Sequence, residues 1–272
     1  LYAIEIGGFQ LPRRPRTSHK GRFGRLGVVG GSASMPGASV LAAEAGARIG
    51  AGYSTLFFSK GSQTKLRVKD ASFIFKSRWT MKDILSQTAL VVGCGGKPGA
   101  RFKVLKLQTP MVLDASALSE ASAADLKSWR KSKCPILLTP HPGEAAKLLK
   151  TSPQKVEADR MGALDELVKL TGQSVYLKGS PALLKFKGDS KTYVNLSAVP
   201  AFATAGSGDT LSGILGGILA QGSLGFEESV ISGIAFHQAL GTLLQNVEGS
   251  ISSDQLTLFS ETFKKLRISC AG

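Results

Sequence analysis

Short apolar runs alternate with helical patterns along most of the chain, and this alternation constrains its fold more than any other feature. The apolar runs lie at 26–30, 53–58, 71–75, 89–92, 111–113, 136–138 and 175–177. Helical patterns lie between several of them, at 37–51, 119–131, 143–150 and 153–171. Strands that alternate with helices favour βα units and a mostly parallel sheet with helices on both faces. The sequence therefore predicts an α/β fold.

The pattern changes at both ends of this series. Residues 1–25 are polar and contain Pro12 and Pro15, so we expect an extended lead-in segment. Residues 182–186 and 191–194 predict a β-hairpin. Further helices are predicted from the end of a loop at 203–210 to residue 220, at 226–247 and at 253–266. Because no shift in composition marks a boundary, the simplest prediction is a single domain over residues 1–272.

The strongly basic composition calls for an anionic partner or for a solvated surface. The formal net charge is +15, from 34 Lys and Arg against 19 Asp and Glu. Apart from a cluster at 13–20, the basic residues are spread along the chain, and no aromatic residues alternate with them as a base-stacking surface needs. We therefore expect polyanionic small molecules rather than nucleic acid as ligands.

Cysteine usage and hydropathy point to the cytoplasm. The chain has three cysteines and no Cys-x-x-Cys pair, which disfavours a disulfide framework and a zinc site. We find no apolar run long enough to span a bilayer and no signal-peptide pattern at the start. The expectation is a cytoplasmic protein without a membrane partner.

Residues 203–210 read as a loop of small residues that enters a helix. Gly206 and Gly208 have no Cβ, so their backbone N–H groups can approach a ligand closely. The first turn of a helix leaves N–H groups unpaired at the positive end of its dipole, which suits a phosphate group. Asp209 could take a proton from a hydroxyl beside that phosphate. The alternative is that Ser207 or Asp209 simply caps the helix.

Small or polar residues also follow five of the apolar runs. They lie at 30–32, 93–96, 114–118, 139–144 and 178–180. Because ligands of open α/β sheets bind beyond the carboxyl ends of the parallel strands, these segments predict one site at one edge.

Three familiar motifs are imitated but not matched. Gly93 and Gly95, with Asp114 further on, resemble a dinucleotide fingerprint, but Pro98 takes the place of the third glycine. Residues 31–39 are rich in Gly and Ser like a P-loop, yet they lack its lysine. Gly213 and Gly217 have the spacing of a membrane dimer motif, and we interpret them as packing a helix on the sheet.

Four polar side chains in these segments have both a functional and a structural interpretation. His141, held between Pro140 and Pro142, is a candidate binding residue or an ordinary surface histidine. Glu144 is a magnesium ligand or a first-turn helix residue. Asp114 contacts substrate or metal-bound water, or belongs to a turn. Lys178 grips a phosphate or is a surface lysine.

The order of these motifs resembles that of the ADP/ATP-dependent NAD(P)H-hydrate dehydratases over about residues 11 to 265. The motifs that carry the resemblance are His19-Lys20-Gly21 with Phe23-Gly24, Gly30-Gly31-Ser32 with Pro36-Gly37-Ala38, Leu113-Asp114-Ala115 with Ala117-Leu118, residues 139–144, Lys178-Gly179 and residues 203–209. The resemblance implies a three-layer ribokinase-like fold and a carbon–oxygen lyase that repairs (6S)-hydrated NADH or NADPH at the expense of ADP or ATP.

The resemblance also implies roles for individual residues. Asp209 would be the catalytic base. The hydrated dinucleotide would contact Ala38, Gly95, His141 and Asp114, together with Asp209. The nucleotide would contact Lys178, Gly179, Ser180, Pro181, Ala182, Gly206, Ser207 and Gly208. Mg²⁺ would be held by Glu144. Family members are commonly homotetramers, and an epimerase domain often precedes the dehydratase; because the chain starts at Leu1 rather than Met, such a domain or a separate epimerase partner stays open.

The sequence departs from the family pattern in four places. A Gly-Pro-Gly-Leu-Gly run is usual where residues 93–97 stand, and an aspartate is usual at Ser116. A threonine is common at Ala182, and Gly-Asn-Pro-Gly is common at 198–201. Two other functions therefore stay open: a kinase of the same fold that phosphorylates a hydroxymethyl or hydroxyethyl vitamin precursor, and a nucleotide-binding protein without activity.

Overall fold

The computed structural model describes residues 1–5, 8–10, 15, 17–32, 34–58, 72–96, 107–197, 199–245 and 249–269. The predicted lead-in, the basic cluster and the run at 71–75 fall partly outside these ranges. Lys97, Pro98 and Ala198 lie outside these ranges.

A ten-stranded sheet forms the centre of the fold. Its strands are β1 (Tyr2–Ala3), β2 (Arg25–Gly30), β3 (Tyr53–Phe58), β4 (Ile74–Lys76), β5 (Ala89–Val92), β6 (Met111–Leu113), β7 (Ile136–Leu138), β8 (Ser174–Leu177), β9 (Ala182–Lys185) and β10 (Tyr193–Asn195). Their order is β1-β10-β9-β8-β7-β6-β5-β2-β3-β4. The pairs β8–β9 and β9–β10 are antiparallel, and the other pairs are parallel. The mostly parallel sheet and the hairpin are confirmed.

The helices are α1 (Pro36–Ile49), α2 (Met81–Leu85), α3 (Ser116–Ser119), α4 (Ala123–Lys131), α5 (Pro142–Leu149), α6 (Pro153–Ala158), α7 (Arg160–Thr171), α8 (Ser207–Gln221), α9 (Phe226–Leu244), α10 (Ser252–Thr257) and α11 (Phe259–Ser269). Short 3-10 helices cover Lys20–Phe23 and Pro200–Phe202. Within these described segments, no helix has both the length and the apolar character that crossing a membrane requires.

Three of the predicted helices are divided in two. The pattern at 153–171 breaks at Asp159, whose extended backbone ends α6 and whose side chain accepts a hydrogen bond from the Gly162 N–H in α7. Ser122 similarly separates α3 from α4 by capping α4 through the Asp125 N–H. The predicted helix at 253–266 is divided at Leu258. A side chain that caps a new helix satisfies its first N–H groups, so a break costs little.

Successive residues of the strands face opposite layers of helices. Val29 and Val92 pack with Trp129 of α4 and Leu164 of α7. On the opposite face, Val28 and Val91 pack with Ala42 of α1, Leu215 of α8 and Ile234 of α9. Because strand side chains alternate in direction, neighbouring valines serve two different cores. Three layers result, as the resemblance implies.

Helix α8 packs closely on α1, and this corrects one interpretation. A Cβ built on Gly213 would lie 2.2 Å from the Ala42 carbonyl oxygen, and one on Gly217 would lie 2.3 Å from Ile49. Both glycines therefore permit close contact between two helices, and not between a helix and the sheet as predicted. Gly216 is the residue that faces the sheet, since a Cβ there would lie 2.4 Å from Val91.

The amino-terminal segment is more structured than predicted. Its strand β1 pairs in parallel with β10 and so lies at one edge of the sheet. Phe9 is buried, and its ring centroid lies 5.6 Å from that of Phe236 in α9. The buried apolar residues Ile4 and Phe9 account for this packing. The prediction of an extended segment depended on the polar composition and the two prolines alone.

Candidate active site

The carboxyl ends of β6 and β8 meet through an ion pair. Lys178 follows β8 and donates a 2.7 Å hydrogen bond from Nζ to Oδ1 of Asp114, which follows β6. The Asp114 side chain is 2% exposed, and Ser212 of α8 donates a 2.7 Å hydrogen bond to its Oδ2. Burial lowers the pKa of Lys178, but the charges of Asp114 and Glu144 raise it by more than burial lowers it. The pKa of Lys178 is therefore above its ordinary value. Lys178 is therefore a fixed cation.

The loop before α8 lies directly against this cation. A Cβ built on Gly208 would lie 3.2 Å from Nζ of Lys178 and 3.8 Å from Oδ2 of Asp114. The loop itself is held by Ser252, whose Oγ donates a 2.6 Å hydrogen bond to the Ala205 carbonyl. Because Gly208 and Asp209 are in the first turn of α8, their N–H groups have no acceptor within the helix. Lysine, helix dipole and free amides thus favour the same anion position.

Asp209 lies half-buried beside this anion position, in an acidic environment. Its carboxylate, that of Asp114 and the Cys94 sulfur offer donor atoms that all lie within 4.8 Å of one another. Burial, and then the charge of Asp114, raise the pKa of Asp209 to about 6, although hydrogen bonding by Cys94 and the charge of Lys178 lower it in part. At neutral pH the group is an ionised carboxylate with a high affinity for protons, which is what a general base requires.

His141 and Glu144 form the start of α5 and face a cavity. The His141 N–H donates a 2.9 Å hydrogen bond to Oε2 of Glu144, and Nδ1 of His141 accepts one of 3.0 Å from the Gly143 N–H. Burial raises the pKa of Glu144 to about 7, and burial lowers the pKa of His141. The cavity measures about 520 Å³ and is lined by Met35, Ser116, His141, Glu144, Lys147 and Thr151, among others.

Of the acidic residues at the site, Glu144 is the one that fits a nucleotide-bound Mg²⁺. Mg²⁺ is usually held by one or two carboxylates together with substrate phosphates and water. Glu144 is a buried carboxylate with a raised pKa, 3.9 Å from Nζ of Lys178, and a cation would relieve the cost of ionising it. The set of Cys94, Asp114 and Asp209 fits Mg²⁺ less well, because it includes a thiol and both Asp114 oxygens already accept hydrogen bonds.

The remaining residues assigned by the resemblance lie around this centre. A Cβ on Gly95 would lie 3.1 Å from that of Ala38, so these two residues are neighbours. Gly179, Ser180 and Pro181 form an exposed turn with a cis Ser180–Pro181 bond. Ala182 is buried at the start of β9, in the core on one face of the sheet. Gly206 adopts a left-handed conformation before α8, and Ser207 is buried.

Three further residues support the site and were not identified from the sequence. Ser212 hydrogen-bonds Asp114 and lies three residues after Asp209 on the same helix, a spacing that could have revealed it. The Arg160 side chain hydrogen-bonds the Lys178 carbonyl at 3.1 Å, beneath the turn at Gly179. His237 is buried and stacks on Phe202 at 3.9 Å between ring centroids, and a hydrogen bond with the Ser207 backbone connects it to the loop before α8. The last two depend on long-range contacts for which no local pattern exists.

The contact between Gly208 and Lys178 yields a first testable prediction. We expect Gly208→Ala to weaken nucleotide binding by about tenfold or more, because the added methyl group would occupy space where a phosphate must meet the amide. Gly37→Ala is a matched control, since Gly37 is also the second residue of its helix and a Cβ there has no atom within 4 Å. Calorimetric titration with ADP and ATP measures both; equal affinities for the two variants would contradict the prediction.

Comparisons with known proteins identify the family of this chain. The family model described as NAD(P)H-hydrate dehydratase matches residues 26–264. An ADP-dependent (S)-NAD(P)H-hydrate dehydratase of Neisseria meningitidis serogroup B is 38% identical over 252 residues, which is 87% of this chain and 82% of the relative. A bifunctional NAD(P)H-hydrate repair enzyme of Moorella thermoacetica is 34% identical over 90% of this chain but only 48% of its own length.

A solved structure supports the same fold. The ADP/ATP-dependent NAD(P)H-hydrate dehydratase of Bacillus subtilis, co-crystallised with ATP and Mg²⁺, superposes with a TM-score of 0.82 at 23% identity. The match covers 96% of each chain. The family model and the relative at 38% identity show that the chain belongs to the NAD(P)H-hydrate dehydratase family.

Proposed function

We propose that this chain dehydrates hydrated NADH and NADPH in a reaction that consumes ADP or ATP. The observation that carries the proposal is the proximity of three groups: Lys178 lies against the anion position at Gly208 and pairs with Asp114, whose carboxylate lies within 4.8 Å of the half-buried carboxylate of Asp209. Phosphoryl transfer depends mainly on positioning and charge neutralisation, and these groups supply both. Membership of the family gives the substrate class.

In the proposed reaction, the hydroxyl oxygen of the hydrated nicotinamide ring attacks the terminal phosphorus of the nucleotide. Asp209 accepts the hydroxyl proton as the oxygen–phosphorus bond forms, and the shortened nucleotide leaves. The ring nitrogen's electron pair then expels the phosphate as the carbon–oxygen bond breaks, and loss of a ring proton restores the dihydronicotinamide. With ADP, the hydrate and ADP are converted to the dinucleotide, AMP, phosphate and a proton. With ATP, the products are the dinucleotide, ADP, phosphate and a proton.

The other assigned residues would bind and orient. Lys178, Gly206, Ser207 and Gly208 would hold the phosphates, and the turn at Gly179 to Ala182 would carry the rest of the nucleotide. His141, Asp114, Ala38 and Gly95 would contact the hydrated dinucleotide, with the cavity beside His141 as its place. When bound at Glu144, Mg²⁺ would neutralise phosphate charge. The name of the relative at 38% identity favours ADP as the co-substrate.

The test is an assay with hydrated NADH, hydrated NADPH and either nucleotide. We expect the near-ultraviolet absorbance of the reduced dinucleotide to return only when ADP or ATP is present. If the absorbance does not return with ADP or with ATP, the proposal is contradicted. A phosphorylated small alcohol that accumulates as a stable product would instead indicate a kinase.

The raised pKa of Asp209 gives a pH prediction. Because the base must be ionised and its pKa is about 6, we expect kcat/KM to fall as the pH drops through that value. Glu144, with a pKa of about 7, is protonated first, so the affinity for Mg²⁺ should weaken before the base is lost. Rate measurements from about pH 5 to 9, at saturating and limiting Mg²⁺, separate the two groups.

Further proposals concern location and partners. The chain spans about half the length of the bifunctional relatives that it matches. We propose that an epimerase, in the same chain or separate, supplies the reactive epimer, and that the protein is a cytoplasmic homo-oligomer, a tetramer by resemblance. The two cysteines within the described segments, Cys94 and Cys134, are unpaired, which suits a reducing compartment.

A further inference from the structure

A buried thiol lies within 4.8 Å of the carboxylate of the proposed base, and the proposed reaction does not use it. Cys94 follows β5 and is completely buried, with its sulfur among the donor atoms that cluster with Asp114 and Asp209. We propose that Cys94 is a positioning residue, whose S–H group donates a hydrogen bond to Asp209 and holds that carboxylate for proton transfer. The proposal deepens the proposed function and depends on the role given there to Asp209.

The environment of Cys94 keeps its sulfur protonated and therefore a donor. Burial, and then the charges of Asp209 and Asp114, raise the pKa of the Cys94 thiol well above its ordinary value. A protonated thiol has one hydrogen to donate. Both oxygens of Asp114 already accept hydrogen bonds, from Lys178 and Ser212, so Asp209 is the better acceptor for this hydrogen.

The backbone prevents Cys94 from moving away. The Gly31 N–H donates a 2.9 Å hydrogen bond to the Cys94 carbonyl, and a Cβ built on Gly30 would lie 2.2 Å from that carbonyl oxygen. The end of β2 thus fixes the turn that carries the thiol. Such fixed geometry is what a group that orients a catalytic carboxylate requires.

The thiol acts on Asp209 together with three charged groups. Asp114, which follows β6, raises the pKa of Asp209, and Lys178, which follows β8, lowers it. Glu144 faces the same space from α5 and is itself affected by Asp209. The Cys94 hydrogen bond favours the ionised form of the base.

A spectroscopic test detects the hydrogen bond without an activity assay. In a Cys134→Ser, Cys270→Ser background, the infrared S–H stretching band reports Cys94 alone. We expect this band at the lower wavenumber of a hydrogen-bonded thiol, and we expect Asp209→Ala to move it to higher wavenumber. A band that stays in place would overturn the proposal, whatever the enzyme's activity.

Kinetics then separate positioning from packing. For Cys94→Ala we expect kcat/KM to fall about fivefold near pH 6 and hardly at all near pH 8, corresponding to a rise of about one unit in the pKa of the base. Cys94→Ser, which restores a donor, should retain most of the rate, with nucleotide affinity unchanged in both variants. Cys134→Ala is the matched control. Equal losses for Ala and Ser, or a loss independent of pH, would assign Cys94 to packing alone.

The two proposals can fail separately. If the wild-type protein does not convert hydrated NADH or NADPH back to the dinucleotide with ADP or with ATP, the proposed function fails. The S–H band still decides whether Cys94 donates a hydrogen bond to Asp209. If Cys94→Ala does not fold, the band in the Asp209→Ala variant and the rate of Cys94→Ser decide the inference.

Discussion

Asp209→Asn will lower kcat for the dehydration of hydrated NADH by about 10²–10⁴-fold, the usual contribution of a general base. Asparagine keeps the shape of the side chain but cannot accept the hydroxyl proton. Nucleotide affinity should be unchanged or slightly higher, because a negative charge beside the anion position at Gly208 is removed. Single-turnover rates and calorimetric titration with ADP measure the two effects.

The same variant has an opposite effect on stability. The pKa of Asp209 is raised on folding to about 6, so the native state binds the proton more tightly than the unfolded chain. Stability from this group therefore increases as the pH falls and is lost as it rises through about 6. We expect Asp209→Asn to be more stable than the wild type above that pH, with the difference disappearing in acid, as urea unfolding at both pH values will show.

Asp125→Asn provides the control for Asp209→Asn. Asp125 is likewise an acidic residue in the first turn of its helix, where it accepts hydrogen bonds from Ser122. Its replacement should reduce stability modestly and leave kcat unaffected, since α4 takes no part in the site. A turnover of Asp209→Asn within about tenfold of wild type would exclude Asp209 as the base.

The parts of the fold that the sequence could predict are those with a local cause. The strands at Leu26 to Gly30 and Ala89 to Val92 are short apolar runs that end in glycine, and such runs identify buried parallel strands. The helix breaks at Ser122 and Asp159 were missed because each depends on one capping side chain within an otherwise helical pattern. The packing of Gly213 on Ala42 was misassigned because the partner element is distant in sequence.

The candidate site divides in the same way. The loop at Gly208 and the strand-end residues Asp114 and Lys178 could be identified, since topology alone brings the carboxyl ends of parallel strands together. Which of them form bonds could not be predicted: the Asp114 to Ser212 hydrogen bond joins residues 98 positions apart. The proximity of Cys94 to Asp209 was missed for the same reason, because a lone cysteine carries no spacing signal.

Lys178→Met will both lower the free energy of unfolding and abolish turnover. Removing the ammonium group leaves Asp114 as a buried carboxylate without its charged partner, and breaking a buried pair in this way costs about 3 to 5 kcal/mol. The nucleotide also loses the cation that lies against Gly208. Urea unfolding gives the first effect, and titration with ADP and ATP gives the second.

Lys185→Met is the control, because Lys185 pairs with Asp165 at 2.6 Å but Asp165 is 55% exposed. An exposed pair of this kind contributes at most about 1 kcal/mol. The double variant Lys178→Met with Asp114→Asn should recover most of the lost stability, since the carboxylate that pairs most closely with Lys178 is then neutral, yet it should remain inactive. Recovery of turnover in the double variant would mean that Lys178 serves only to neutralise Asp114, and that the phosphate is held by the amides of α8 alone.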